Sequence, residues 1–147
     1  MSPLHSRRRF LAGSTTLLAS SLASCHVRRP TGDATVRVAN LTDERRRLSV
    51  RILRGDDLVW HLTVDLPARE PNDAAVAEAT HALQSVEDGA QFTVVATLDS
   101  ADREHRASLT IDCAAADERE DLVVIRLLRN GGGVYPDIRE RDCGNSV

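Results

Sequence analysis

From residue 34 onward the chain alternates apolar and polar positions with a period of two, the spacing of half-buried β-strands. Val36 and Val38 alternate with Thr35 and Arg37. Leu48, Val50 and Ile52 alternate with Arg47, Ser49 and Arg51, the run Gly55-Asp56-Asp57 makes a tight turn, and Leu58, Trp60, Leu62 and Val64 alternate with Val59, His61, Thr63 and Asp65. So short a polar turn between two such strands predicts an antiparallel hairpin with one wet face. Pro67 and Pro71 mark a loop. Phe92, Val94, Ala96 and Leu98 alternate with Thr93, Val95 and Thr97; after an acidic turn over 99–104, Ala107, Leu109, Ile111 and Cys113 alternate with Arg106, Ser108, Thr110 and Asp112. That is a second hairpin. Leu122 to Leu128 is a denser apolar run carrying Arg126 on one face, as expected of a more buried strand, and Gly131-Gly132-Gly133 turns the chain before a short segment around Val134-Tyr135.

One segment reads two ways. In residues 73–86, Val76, Ala79, Leu83 and Val86 fall at helical spacing, with Asn72 as a cap and Gly89 as a stop. The same residues also alternate, Val76, Glu78 and Thr80 against Ala77, Ala79 and His81. The all-β surroundings favour a strand. Strand starts then fall near 34, 47, 57, 74, 91, 105 and 121. Seven short strands predict an all-β, two-sheet antiparallel sandwich, Ig-like in the immunoglobulin or fibronectin-III sense, with Trp60 as the candidate buried tryptophan. The alternatives are a small β-barrel, or a sandwich with one short helix at 73–86. Cys113 and Cys143 lie too late in the chain to be the intersheet pair of an antibody domain.

The first 24 residues break this pattern. Ser6-Arg7-Arg8-Arg9-Phe10-Leu11 precedes a mild apolar stretch, and Leu22-Ala23-Ser24-Cys25 follows. The stretch from Phe10 to Ser24 is fifteen residues and contains Gly13, four Ser and two Thr, whereas a membrane-spanning helix needs about twenty predominantly apolar residues. Arg7, Arg8, Phe10 and Leu11 resemble a twin-arginine export signal, and Leu22 to Cys25 resembles a lipobox, whose cleavage leaves the cysteine first and lipidated. The organisation expected is a signal peptide over 1–24, an anchor cysteine and spacer over 25–33, a β-sandwich over 34–137, and a tail over 138–147 that carries Cys143. With Cys25 consumed, Cys113 and Cys143 form an even pair in an oxidising compartment, most simply a disulfide closing a loop of about 30 residues.

Composition narrows the function classes. All nineteen basic residues are Arg. Past residue 24, 16 Arg face 22 acids, a net charge of −6, with fourteen Asp to eight Glu. This acidic, lysine-free balance resembles secreted proteins of salt-loving archaea, although GC-rich coding also exchanges Lys for Arg. Negative charge argues against nucleic acid, and four aromatic residues (Phe10, Trp60, Phe92, Tyr135) make no stacking platform.

Candidate chemistry is sparse. His5, His26, His61, His81 and His105 show no metal-ligand spacing, His61 and His105 fall on faces expected to point outward, and the only Met is the first residue, so a cupredoxin-type copper site is not expected. The acids at 56–57, at Asp99, Asp102 and Glu104, and at Asp117, Glu118, Glu120 and Asp121 lack EF-hand order and read as solvated loops. No Ser lies in a Gly-x-Ser-x-Gly setting, and the triple glycine is not followed by a phosphate-loop helix. The run Arg45-Arg46-Arg47 reads as a solvated edge. Neither a cofactor, a metal site nor an enzyme is expected.

The signal residues Arg7, Arg8, Phe10, Leu11 and Leu22 to Cys25, the opening Val36-Arg37-Val38-Ala39-Asn40-Leu41-Thr42 and the late cysteines together resemble small haloarchaeal lipoproteins with one Ig-like sandwich. The resemblance implies fold and localisation: export, then anchoring to the outer face of the cell membrane by lipid on Cys25. The function expected is a non-catalytic binding or structural module whose partners are envelope proteins or glycans. The alternative is a small ligand- or ion-carrier accessory to a membrane transporter.

Overall fold

A computed structural model describes residues 29–99, 103–113 and 120–141. Eight strands follow one another: β1 (Thr31–Asn40), β2 (Arg46–Arg54), β3 (Asp57–Leu66), β4 (Ala75–Glu87), β5 (Gln91–Leu98), β6 (Glu104–Thr110), β7 (Asp121–Asn130) and β8 (Gly133–Arg141). They form two four-stranded sheets, in the orders β4-β1-β7-β8 and β3-β2-β5-β6. Every pairing is antiparallel except β1 with β7, which run parallel from Ala34↔Asp121 to Asn40↔Leu127. The two-sheet antiparallel sandwich is therefore the architecture. Each sheet has free edges, so this is not a closed barrel. Sandwiches share this architecture without sharing one topology; constant-type immunoglobulin domains pair their strands as 1-2-5-4 and 3-6-7, an order this chain does not follow.

The inner faces come from the two periodic sets. Ala34, Val36 and Val38 of β1 and Val123, Ile125 and Leu127 of β7 face Leu48, Val50 and Ile52 of β2 and Phe92, Val94 and Ala96 of β5, and all are buried. At roughly 25 cal/mol per Å² of apolar surface removed from water, these contacts are the main force holding the sheets together. The central strands β1, β7, β2 and β5 are the most buried; the edge strands are less so. Trp60 illustrates the difference. It lies on edge strand β3, packs against the core and is only partly buried, not the enclosed tryptophan expected.

Tight turns close the hairpins. Gly55 joins β2 to β3 at a φ of 61°, a conformation that costs a side-chain-bearing residue energy and glycine little. Gly131-Gly132 turns β7 into β8 with Asn130 opposite Gly133, and the Asn130 side chain accepts the Gly132 N–H at 2.9 Å.

Three boundaries differ from expectation. β1 starts at Thr31, so residues 31–33 belong to the sheet and not to a spacer. The short final segment is a full eighth strand through Arg141, which moves residues 138–141 from tail to sheet. Its core-facing series Val134, Pro136, Ile138 and Glu140 holds a proline and ends on a charge, so period-two apolarity is faint there; on the outward side Asp137 lies between Arg126 at 2.6 Å and Arg139 at 2.9 Å. The ambiguous segment is a strand, β4, but an interrupted one. Its register against β1 shifts between Gly32 and Ala34 and again between Ala34 and Val36. His81 and Ser85 have positive φ values of 53° and 51°. The extra residues in these bulges break the alternation, which is why a helical spacing fitted as well.

The junctions are tied by buried polar groups. Asn40 is fully buried; its amide donates to the carbonyls of Glu44 (2.8 Å) and Pro67 (2.7 Å), and its oxygen accepts from the Thr42 N–H (3.0 Å) and hydroxyl (2.7 Å). One side chain thereby fixes both the β1–β2 and the β3–β4 connections at one end of the sandwich.

Candidate functional site

The end of the sandwich that holds the β5–β6 connection and the β7–β8 hairpin carries a cleft of about 590 Å³, within the range of small-molecule sites. Leu98, Val134, Tyr135 and Pro136 give it an apolar side; Arg46, Asp99, Arg103 and His105 give it a charged and polar one. The fold explains this convergence. Leu98 ends β5, Arg103 directly precedes β6 and His105 lies near its start, and Val134 to Pro136 lie near the start of β8 in the facing sheet, so the cleft is lined from both sheets.

His105 lies inward, not on the outward face expected for it. It pairs with Ala96, whose side chain is fully buried, and shares the inward parity of Ala107 and Leu109. Across a pleated sheet opposite partners point to the same face. His105 therefore points inward and lines the cleft, where an outward position was expected. His61 does lie on the outer face, opposite Arg51, and is exposed.

Arg46 also departs from its expected place in a solvated run. Its guanidinium binds Asp99 at 2.7 Å and also pairs with Glu44, and its Nε–H is buried without an acceptor. Asp99 accepts the Arg47 N–H as well, at 2.8 Å. The Arg46 and Asp99 charges thus cancel locally. Arg103 is exposed at the rim and makes no ion pair among the described residues.

A second polar cluster lies on the outer face of the other sheet. Asp33 accepts the Ser85 N–H at 2.7 Å and meets His81 Nδ1 at 2.9 Å; Glu120 lies 3.6 Å from the same nitrogen and accepts the Thr35 hydroxyl at 2.5 Å. The Ser85 N–H, and after it His81, hold the Asp33 carboxyl below the usual range. This arrangement pins the two β4 bulges against β1, which accounts for the backbone strain at His81 and Ser85.

The third cluster joins β6 to β7. Asp121 was expected in a solvated acidic loop; it is fully buried, its two oxygens accepting the N–H groups of Asp112 and Cys113 at 3.3 Å each. Burial pushes its carboxyl up to about 6, and the neighbouring Asp112 carboxyl adds to the rise while the two N–H bonds oppose it. Asp112, Cys113 and Asp121 bring potential ligand atoms within 4.8 Å of one another. Three protein ligands are fewer than the four of a structural zinc site or the six to eight oxygens that calcium takes.

On the outer face of the β3-β2-β5-β6 sheet, Val95 is fully buried although it points outward. Arg51 and Arg106 stand opposite it on either side, and both bind Glu104. Their hydrocarbon stems cover the valine while their charged ends stay wet. The Arg106 guanidinium, followed by that of Arg51, holds the Glu104 carboxyl below its usual range.

Arg7, Arg8, Phe10, Leu11, Cys25 and Cys143 lie outside the described residues, as do Asp102, Asp117 and Glu118. Among the described residues no helix is long and apolar enough to cross a membrane. No protein family matches the chain, and no curated protein matches it.

Proposed function

We propose that this chain is an exported, lipid-anchored, non-catalytic binding module, held at the outer face of the cell membrane by lipid on Cys25 and presenting its end cleft to a ligand or envelope component. The observation that carries the binding role is the cleft: loops and strand ends on a rigid sandwich converge there, the usual place for recognition on such scaffolds. The cleft is open along its mouth, which suits a displayed module better than a carrier that encloses its cargo. The address rests on Arg7-Arg8, the weakly apolar stretch after them and the lipobox ending at Cys25. A two-chain lipid is expected, since one acyl chain holds only marginally. The acidic, lysine-free composition suits a salt-rich exterior.

Within this reading Cys113 pairs with Cys143. In support, Cys113 is 1% exposed and follows β6 by three residues, while β8 ends two residues before 143. In the chain-entropy account a loop of that length is worth roughly 3–4 kcal/mol.

Three experiments test the proposal. Mass spectrometry of the membrane fraction should find lipid on Cys25, and Cys25→Ser should release the protein to the medium; an unmodified Cys25 in the wild-type membrane fraction overturns the anchor. Replacing Arg7, Arg8 and Arg9 together with Lys should strand the precursor inside the cell, and normal processing of that variant overturns the export route. For the binding role, a fragment library screened by amide NMR should shift residues around Arg103, His105 and Tyr135; a library that leaves all of them unmoved overturns it.

A further inference from the structure

We infer that the end cleft takes a small organic carboxylate with an apolar body, its charge received by Arg103. This rests on the binding-module reading and deepens it. The cleft has two unlike halves: Leu98, Val134, Tyr135 and Pro136 on one side, charged and polar groups on the other. Of its charged groups, Arg46 is committed to Asp99 and Glu44, and Asp99 is committed to Arg46 and the Arg47 N–H. What remains is one guanidinium, Arg103, without an ion pair among the described residues, at the mouth of a partly apolar cleft. His105 adds a ring nitrogen able to donate.

One guanidinium without an ion pair among the described residues matches one carboxylate, which it grips with two parallel N–H bonds. A phosphate dianion would need a second free cation, and Arg46 is not free. A cation would meet Arg103 at the mouth. The apolar side rewards a hydrocarbon or aromatic body, because removing such surface from water drives most small-molecule binding. The volume of about 590 Å³ exceeds what acetate fills, so the ligand has a body as well as a charge.

The test uses 4-phenylbutyrate and its uncharged amide, titrated into the ¹⁵N-labelled full chain in mild detergent. The carboxylate should shift the amides of Arg103, His105, Val134 and Tyr135, and should bind about tenfold or more tighter than the amide, as loss of one charge-assisted contact predicts. Arg103→Gln should erase that preference, by weakening the carboxylate far more than the amide. Because Arg103 is exposed, the variant should keep the wild-type thermal midpoint. His105→Asn should weaken both compounds modestly. If the two compounds bind the cleft equally, or Arg103→Gln leaves the preference intact, the carboxylate assignment falls and the binding-module reading stands. If neither compound shifts the cleft at millimolar concentration while other library fragments do, the assignment falls alone. If no fragment of any kind moves these residues, both fall.

Discussion

Asp121→Asn tests how the structure handles its buried carboxyl. Asp121 is fully buried at the start of β7, beside the Asp112 carboxyl, and burial raises it to about 6. An unfolded aspartate titrates near 3.9. Between about pH 4 and 6 the folded protein therefore holds a proton that the unfolded chain has released. Stability falls as pH rises through that window, and below it the group contributes no difference. A rise of about two units corresponds to at most ~3 kcal/mol lost by pH 7.5, and the loss belongs to the Asp112–Asp121 pair as a unit. Asn is neutral throughout, but it offers one acceptor where Asp121 offers two to the Asp112 and Cys113 N–H groups. That costs about 1–2 kcal/mol at every pH. The variant should thus be less stable than wild type at pH 4 and equal to it or slightly more stable at pH 7.5. Urea denaturation at intervals of half a pH unit, followed by the fluorescence of the single tryptophan Trp60, measures the difference. Carboxyls held low by their partners, such as Asp33, Asp65, Glu104 and Asp137, act in the opposite sense. Their stabilisation is present above about pH 4 and lost only as pH falls through their lowered values, and it cancels in the comparison. A wild-type-minus-variant difference that stays constant from pH 4 to 7.5 would refute the reasoning.

Four further substitutions separate the forces in the fold. Asn40→Asp turns a donor of two buried hydrogen bonds into a carboxylate facing the Glu44 and Pro67 carbonyls, and should cost about 3 kcal/mol or more by chemical denaturation; a loss under ~1 kcal/mol would mean the two loops are held otherwise. Val95→Ala should cost about 1–2 kcal/mol although Val95 points away from the core, because Arg51 and Arg106 keep it dry; a neutral effect would show that the arginine cover leaves it wet. Gly133→Ala should cost about 1–3 kcal/mol from its φ of 117° alone, since nothing lies within 4 Å of the added carbon. Gly131→Ala, with equally open space and no positive φ, should be near neutral. Equal thermal midpoints for these two variants would remove backbone strain as the cause.

The strands themselves were legible in the chain because a sheet with one dry face imposes a period of two, and a single-residue slip would turn every apolar side chain to water. The hairpins β2–β3 and β5–β6 followed from short polar turns between such runs, and the sandwich followed from the number and spacing of the runs. These are local properties, and a sequence carries them directly. What the sequence left open is long-range. The parallel meeting of β1 with β7, some 85 residues apart, leaves no local mark, so the sheet order belongs to the tertiary structure. The β4 bulges erased the alternation that would have told strand from helix, and they exist because Asp33 on another strand holds Ser85 and His81 in place. β8 is not legible as a strand because its core-facing series Val134, Pro136, Ile138 and Glu140 holds a proline and ends on a charge, and its place comes from pairing with β7. His105 keeps the parity of Ala107, Leu109 and Ile111, so the alternation by itself already places it inward, whereas Asp121 is buried by residues brought to it from β1 and from 112–113. Charge and hydropathy at a single position record what a side chain tolerates; which groups surround it is decided by residues far away in the chain. The end cleft, drawn from strands β2, β5, β6, β7 and β8 and the turns between them, has no continuous sequence signal for that reason.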